Sequence, residues 1–131
     1  MKTVSEIILH DIRVNNSSYT EETLKKVLKF YLDNGSVFVR KGDTIFIVHN
    51  IKDKTAYYHT INADTIRNFL DNLKIFFEYL AENNLNEAVT YFNNPKLKVL
   101  YKDKDRVIDS EYGPWKYKGI SDLEGYKNGL G

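Results

Sequence analysis

Asn94-Pro95-Lys96-Leu97-Lys98-Val99-Leu100-Tyr101 is the stretch whose reading decides the fold. Asn94 is a helix-capping residue, and Pro95 stands at the first helical position, where its missing N–H costs nothing. Leu97 and Leu100 follow the cap at helical spacing and Tyr101 closes the turn, so the stretch reads as one short helix. Before it, Glu87 to Phe92 reads as a strand, and after it Arg106 to Tyr112 reads as a last strand.

Further upstream, Asn62 or Asp64 caps a long helix that ends near Asn83-Asn84. Ile66, Phe69, Leu70, Leu73, Phe77 and Leu80 mark its buried stripe, and Phe76 widens it to suit packing on a sheet. Ahead of that helix lies an antiparallel meander of three strands, Val37 to Lys41, Thr44 to Ile51 and Thr55 to Ile61. Its turns are Gly42-Asp43 and Lys52-Asp53-Lys54. A helix capped by Ser18 or Thr20 precedes the meander, with Leu24, Val27, Leu28 and Tyr31 on one face and Asn34-Gly35 at its end. The β-branched run from Glu6 to Val14 reads as a first strand, followed by a turn at Asn15-Asn16-Ser17-Ser18.

The chain has 131 residues, 42% of them hydrophobic and 14% aromatic, which suits one folded domain. With 19 basic and 18 acidic side chains, the net charge of +1 argues against nucleic-acid or membrane binding driven by bulk charge. There are no cysteines, which removes disulfides, thiolate catalysis and cysteine-ligated metals. The start lacks a signal-peptide pattern, and no segment has the roughly 18 uninterrupted apolar residues of a membrane helix. Phosphate-binding, zinc-protease and serine-hydrolase motifs are absent. His49 and His59 fall on adjacent strands and are expected to face each other. With His10 they are the chain's three histidines, and no metal site is expected from them.

The order strand, helix, three-strand meander, long helix, strand, short helix, strand resembles the GNAT N-acetyltransferases. In that family the last helix usually carries Asn-x-x-Ala-x-x-Leu-Tyr. The resemblance implies an α/β (α+β) fold with a mixed, mostly antiparallel sheet and helices on both faces. It implies that Tyr101 stands where a tyrosine protonates the departing thiolate, and that Asn62, Ala63, Asp64, Thr65 and Asn94 lie where acetyl-CoA is held. The family's phosphate loop is Gln/Arg-x-x-Gly-x-Gly/Ala. Here Asn62, Ala63, Asp64 and Thr65 stand in it, without glycine and with a carboxylate beside the phosphate position.

Small GNAT-like chains lacking this loop resemble virion or assembly proteins of short-tailed bacteriophages. The expectation is therefore a non-catalytic structural protein without a cofactor, found in a virion or the host cytoplasm. Its partners would be other phage proteins or further copies of itself. The alternative is an acetyl-CoA-dependent N-acetyltransferase with an unusual phosphate loop. Residues 1–112 are expected to form the domain. Residues 113–131 are expected to be an irregular tail whose Trp115, Lys116, Tyr117 and Lys118 dock on a partner. Binding of single-stranded nucleic acid by these residues is a weaker option.

Overall fold

The computed structural model describes residues 1–14, 20–101 and 105–129, without the side chains of residues 128 and 129. The expected turn at residues 15–18, the Ser18 cap and Asp103 and Lys104 lie outside the described residues. The described elements are α1 (Val4–Val14), α2 (Glu21–Asp33), β1 (Val37–Lys41), β2 (Thr44–Lys52), β3 (Thr55–Asn62), α3 (Ile66–Glu82), β4 (Glu87–Phe92), β5 (Arg106–Asp109) and β6 (Tyr117–Asp122). Short 3-10 helices occupy Pro95–Leu100 and Glu124–Gly129. One six-stranded sheet runs in the order β1-β2-β3-β4-β6-β5, antiparallel except between β3 and β4.

The first element corrects the sequence reading: residues 4–14 form a helix, not a strand. The β-branched run favoured a strand, but two local facts oppose it. Thr3 and Glu6 form a capping box, with Glu6 N–H donating to Thr3 Oγ1 at 3.1 Å and Thr3 N–H donating to Glu6 Oε1 at 3.1 Å. Burial also follows a helical period, for Ile7 and Ile8 are fully buried and Ile12 packs on the same cluster, while Leu9 is exposed.

Alternation along β2 divides the core between the two faces of the sheet. Ile45 and Ile47 join Ile7, Ile8, Leu28 and Ile61 beneath α1 and α2. Phe46 and Val48 join Tyr58, Phe69, Phe76, Phe77 and Leu80 beneath α3. The stripe of α3 buries Phe69, Phe76, Phe77 and Leu80 as expected and adds Ala81, whereas Ile66 and Leu70 are exposed. Its cap is Thr65, whose side chain accepts from Asn68 N–H at 3.3 Å, rather than Asn62 or Asp64.

Residues 113–131 are not wholly irregular. β6 pairs along all of β4, from Glu87 opposite Asp122 to Phe92 opposite Tyr117, and separates β4 from β5. Gly113, Pro114 and Gly119 disguised this strand in the sequence. Gly119 is there because a side chain crosses it: an added Cβ would lie 2.1 Å from the Tyr101 hydroxyl oxygen.

Candidate functional site

β3 and β4 pair in parallel over three positions, Thr55–Glu87, Ala56–Ala88 and Tyr57–Val89. Both strands continue, to Asn62 and to Phe92, without pairing to each other. A cavity of about 690 Å³ fills the opening, bounded by Tyr58 to Ile61 on one strand and Thr90 to Phe92 on the other. Asp11, Leu24 and Tyr31 border it from α1 and α2, and Phe69, Leu73 and Phe77 from α3. Since these helices cover opposite faces, the cavity passes through the sheet.

Tyr101 lies on the α3 side of this opening. The 3-10 helix delivers it: Asn94 Oδ1 accepts from Lys96 N–H at 3.0 Å, and Tyr101 N–H donates to Lys98 O at 3.2 Å. Its ring stacks on Phe92 with centroids 5.9 Å apart and lies over Gly119. Burial pushes its phenol up to about 12, an effect that Tyr58 partly offsets and Asp105 reinforces. Tyr58 is fully enclosed and shifted upward as well, first by burial and then by Tyr101. Sequence reasoning found Tyr101 and Asn94 but missed Tyr58 and Gly119, whose signals are the inward alternation of β3 and a glycine inside a strand.

The start of α3 departs from expectation. No residue from Asn62 to Arg67 has a positive φ, so the backbone of this loop does not require glycine. The Asp64 carboxylate, expected to crowd the helix start, is bound elsewhere. Its Oδ2 accepts from Asp43 N–H at 2.8 Å, Asn72 Nδ2 at 2.7 Å and Thr44 Oγ1 at 3.2 Å. The amides of Asn62, Ala63 and Asp64 are committed to Asp11, Asp43 and Asn62 acceptors respectively. The amides of Thr65, Ile66 and Arg67 have no acceptor among the described residues. Three open amides at the start of a 17-residue helix form an anion-attracting end. Arg67, which sequence reasoning did not single out, is exposed there and joins no ion pair among the described residues.

On the opposite face the two strand histidines meet as expected, with ring centroids 4.5 Å apart. Tyr31 stacks on His49 at 5.5 Å and lies tilted 5.8 Å from His59, and Trp115 lies 5.9 Å from His59. Burial first, and His49 second, push His59 down to about 4, so it is neutral at physiological pH. Burial lowers His49 too, and its Nε2 is buried without a partner among the described residues. No group of three metal-ligating side chains occurs among the described residues.

Of the four residues expected on a docking tail, Trp115, Tyr117 and Lys118 make side-chain contacts within the fold. Trp115 borders the cavity. Tyr117 packs on Phe92 at 5.4 Å, with the Lys98 ammonium 4.2 Å above its ring. Lys118 pairs with Glu111 at 2.9 Å, and only the Lys116 side chain is well exposed. Lys116 N–H donates to Asn93 Oδ1 at 2.8 Å, which ties this segment to the end of β4.

No protein-family model and no curated protein matches the sequence. Solved structures match the fold. An acetyltransferase of the GNAT family from Staphylococcus aureus Mu50 aligns over 91% of this chain and 90% of its own, with TM-score 0.61 and 13% identity. A point mutant of spermidine N-acetyltransferase SpeG from Vibrio cholerae aligns over 98% and 96%, with TM-score 0.59 and 13% identity. The fold is GNAT-like. At this identity the likeness is one of architecture. It nevertheless overturns the expectation of a non-catalytic bacteriophage virion protein, because these GNAT-like chains are acetyltransferases. Among the described residues, no helix is long and apolar enough to cross a membrane.

Proposed function

We propose that this chain is an N-acyltransferase that draws its acyl group from an acyl-CoA such as acetyl-CoA. The observation that carries the reading is the parting of β3 and β4 around a cavity that reaches Tyr101. The residues present fit the cofactor at three points. The opening between unpaired strand edges accepts an extended, amide-bearing arm. The open amides of Thr65, Ile66 and Arg67, with the Arg67 guanidinium, suit a diphosphate. Asn94 and Tyr101 both border the cavity.

When bound, the acyl-CoA supplies an acyl carbon activated as a thioester. The chain's own residues do the rest. Phe69, Leu73 and Phe77 exclude water on the α3 side. The strand edges orient the reactants. Tyr101 stays a phenol throughout the neutral range and holds a proton at Oη to donate toward a departing thiolate. His59, neutral and on the other face, offers a ring nitrogen to an incoming amine.

Isothermal titration with acetyl-CoA tests the proposal. Saturable binding is expected, weakened about tenfold or more by Arg67→Glu. Absence of binding at millimolar acetyl-CoA overturns it.

A further inference from the structure

We propose that the part of the cavity facing α1 and α2 is an acceptor subsite for a monoamine with an aryl-bearing apolar body, walled by Tyr31, His59 and Trp115. The proposal rests on the acyltransferase reading and specifies its second substrate. The three rings form a continuous aromatic surface, with His59 within 5.8 Å of Tyr31 and 5.9 Å of Trp115. Leu24 and Val27 of α2 add apolar lining. An aryl group stacks on such a surface, and an ammonium is attracted to the faces of its rings.

Charge narrows the class. Among the described residues lining the cavity there is no lysine or arginine, and Asp11 is the one carboxylate. The Asp11 carboxylate, which accepts from Asn62 N–H, is the opposite charge a single ammonium would approach. Among the described lining residues a polyamine's further ammonium groups find no counter-charge, and an amino acid's carboxylate finds no cation. Behind the wall, the buried Nε2 of His49 lacks a partner among the described residues, so one hydrogen-bonding atom beside the subsite is uncommitted. The class inferred here differs from the spermidine named for one structural neighbour.

The test titrates 2-phenylethylamine, spermidine and phenylalanine into the full chain by calorimetry, with and without acetyl-CoA, and compares acetyl-transfer rates. 2-Phenylethylamine is expected to bind at least about tenfold more tightly than either competitor and to be acetylated fastest. Trp115→Ala should lose about tenfold of that affinity, with Trp115→Phe retaining most of it. Equal or tighter binding of spermidine or phenylalanine overturns the proposal, as does unchanged amine affinity in a folded Trp115→Ala. If that variant does not fold, the ranking of the three amines decides. A chain that binds 2-phenylethylamine but no acetyl-CoA refutes the acyltransferase reading and leaves the subsite standing. One that binds acetyl-CoA without preferring this amine refutes only the subsite.

Discussion

The Tyr101 phenol lies directly over the α-carbon of Gly119, so closely that a Cβ there would stand 2.1 Å from its oxygen and 2.3 Å from Cζ. The tyrosine comes from the 3-10 turn after β4, and the glycine from β6, the strand inserted beside β4. Gly119→Ala should therefore destabilise the chain by about 1–3 kcal/mol through overpacking. Urea denaturation of Gly119→Ala in the native and Tyr101→Ala backgrounds measures the coupling. Equal costs in both would show that the ring is not the obstacle.

Tyr101→Phe keeps the ring on Phe92 and removes the proton donor. Turnover should fall about 10²–10⁴-fold with acetyl-CoA affinity retained. Loss of a partner for the enclosed Tyr58 hydroxyl should also cost about 1–2 kcal/mol of stability. A steady-state assay beside a melting curve separates the two effects, and unchanged turnover would remove Tyr101 from the chemistry.

His59 makes stability depend on pH. Its folded value of about 4 lies below the unfolded value of 6.5, so the unfolded chain binds more protons between them. The contribution is fully present above 6.5 and is lost as pH falls toward 4, by about 3 kcal/mol at most. His49 shifts in the same direction. His59→Phe should flatten the decline, which chemical denaturation at pH 7.5, 6 and 4.5 will reveal. An equally steep decline would assign the acid sensitivity to other groups.

The turn between β2 and β3 holds Asp53 and Lys54 at φ of 52° and 63°. A two-residue hairpin turn with both residues left-handed favours Asn-Gly. Replacing Asp53-Lys54 by Asn-Gly should stabilise the chain by about 1 kcal/mol, since side chains with a Cβ disfavour this region. The readout is the urea midpoint, which should rise with the m-value unchanged.

Asp64 holds the β1–β2 turn to the start of α3 through Asp43, Thr44 and Asn72. Asp64→Ala leaves these donors unsatisfied and should cost about 2–4 kcal/mol. Because the carboxylate is committed to them, Asp64→Asn should change acetyl-CoA affinity less than Arg67→Glu does. A larger gain from Asp64→Asn than the loss from Arg67→Glu would restore Asp64 as a barrier to phosphate.

The meander, the long helix, β4 and the turn at Asn94 were legible because each is announced by neighbours along the chain. Alternation in Ile45-Phe46-Ile47-Val48 sorted side chains to two faces, and Asn94-Pro95 set a helix start. The Thr3–Glu6 capping box was equally local but was outweighed by the β-branched run after it. The setting of the loop at residues 62–67 was illegible for a different reason. Its composition does not say which donors will claim the Asp64 carboxylate, and those donors come from β2, the turn before it and the second turn of α3.

By itself, then, the sequence determined the order of most elements and the facing of His49 toward His59, since caps, turns and pleat alternation act within a few residues. Tertiary structure alone decided that β6 enters between β4 and β5, that β3 and β4 part after three pairs, and that Tyr101, Tyr58 and Gly119 converge there. These depend on which backbone edges pair and how side chains distant in sequence share volume, and no local pattern carries that information.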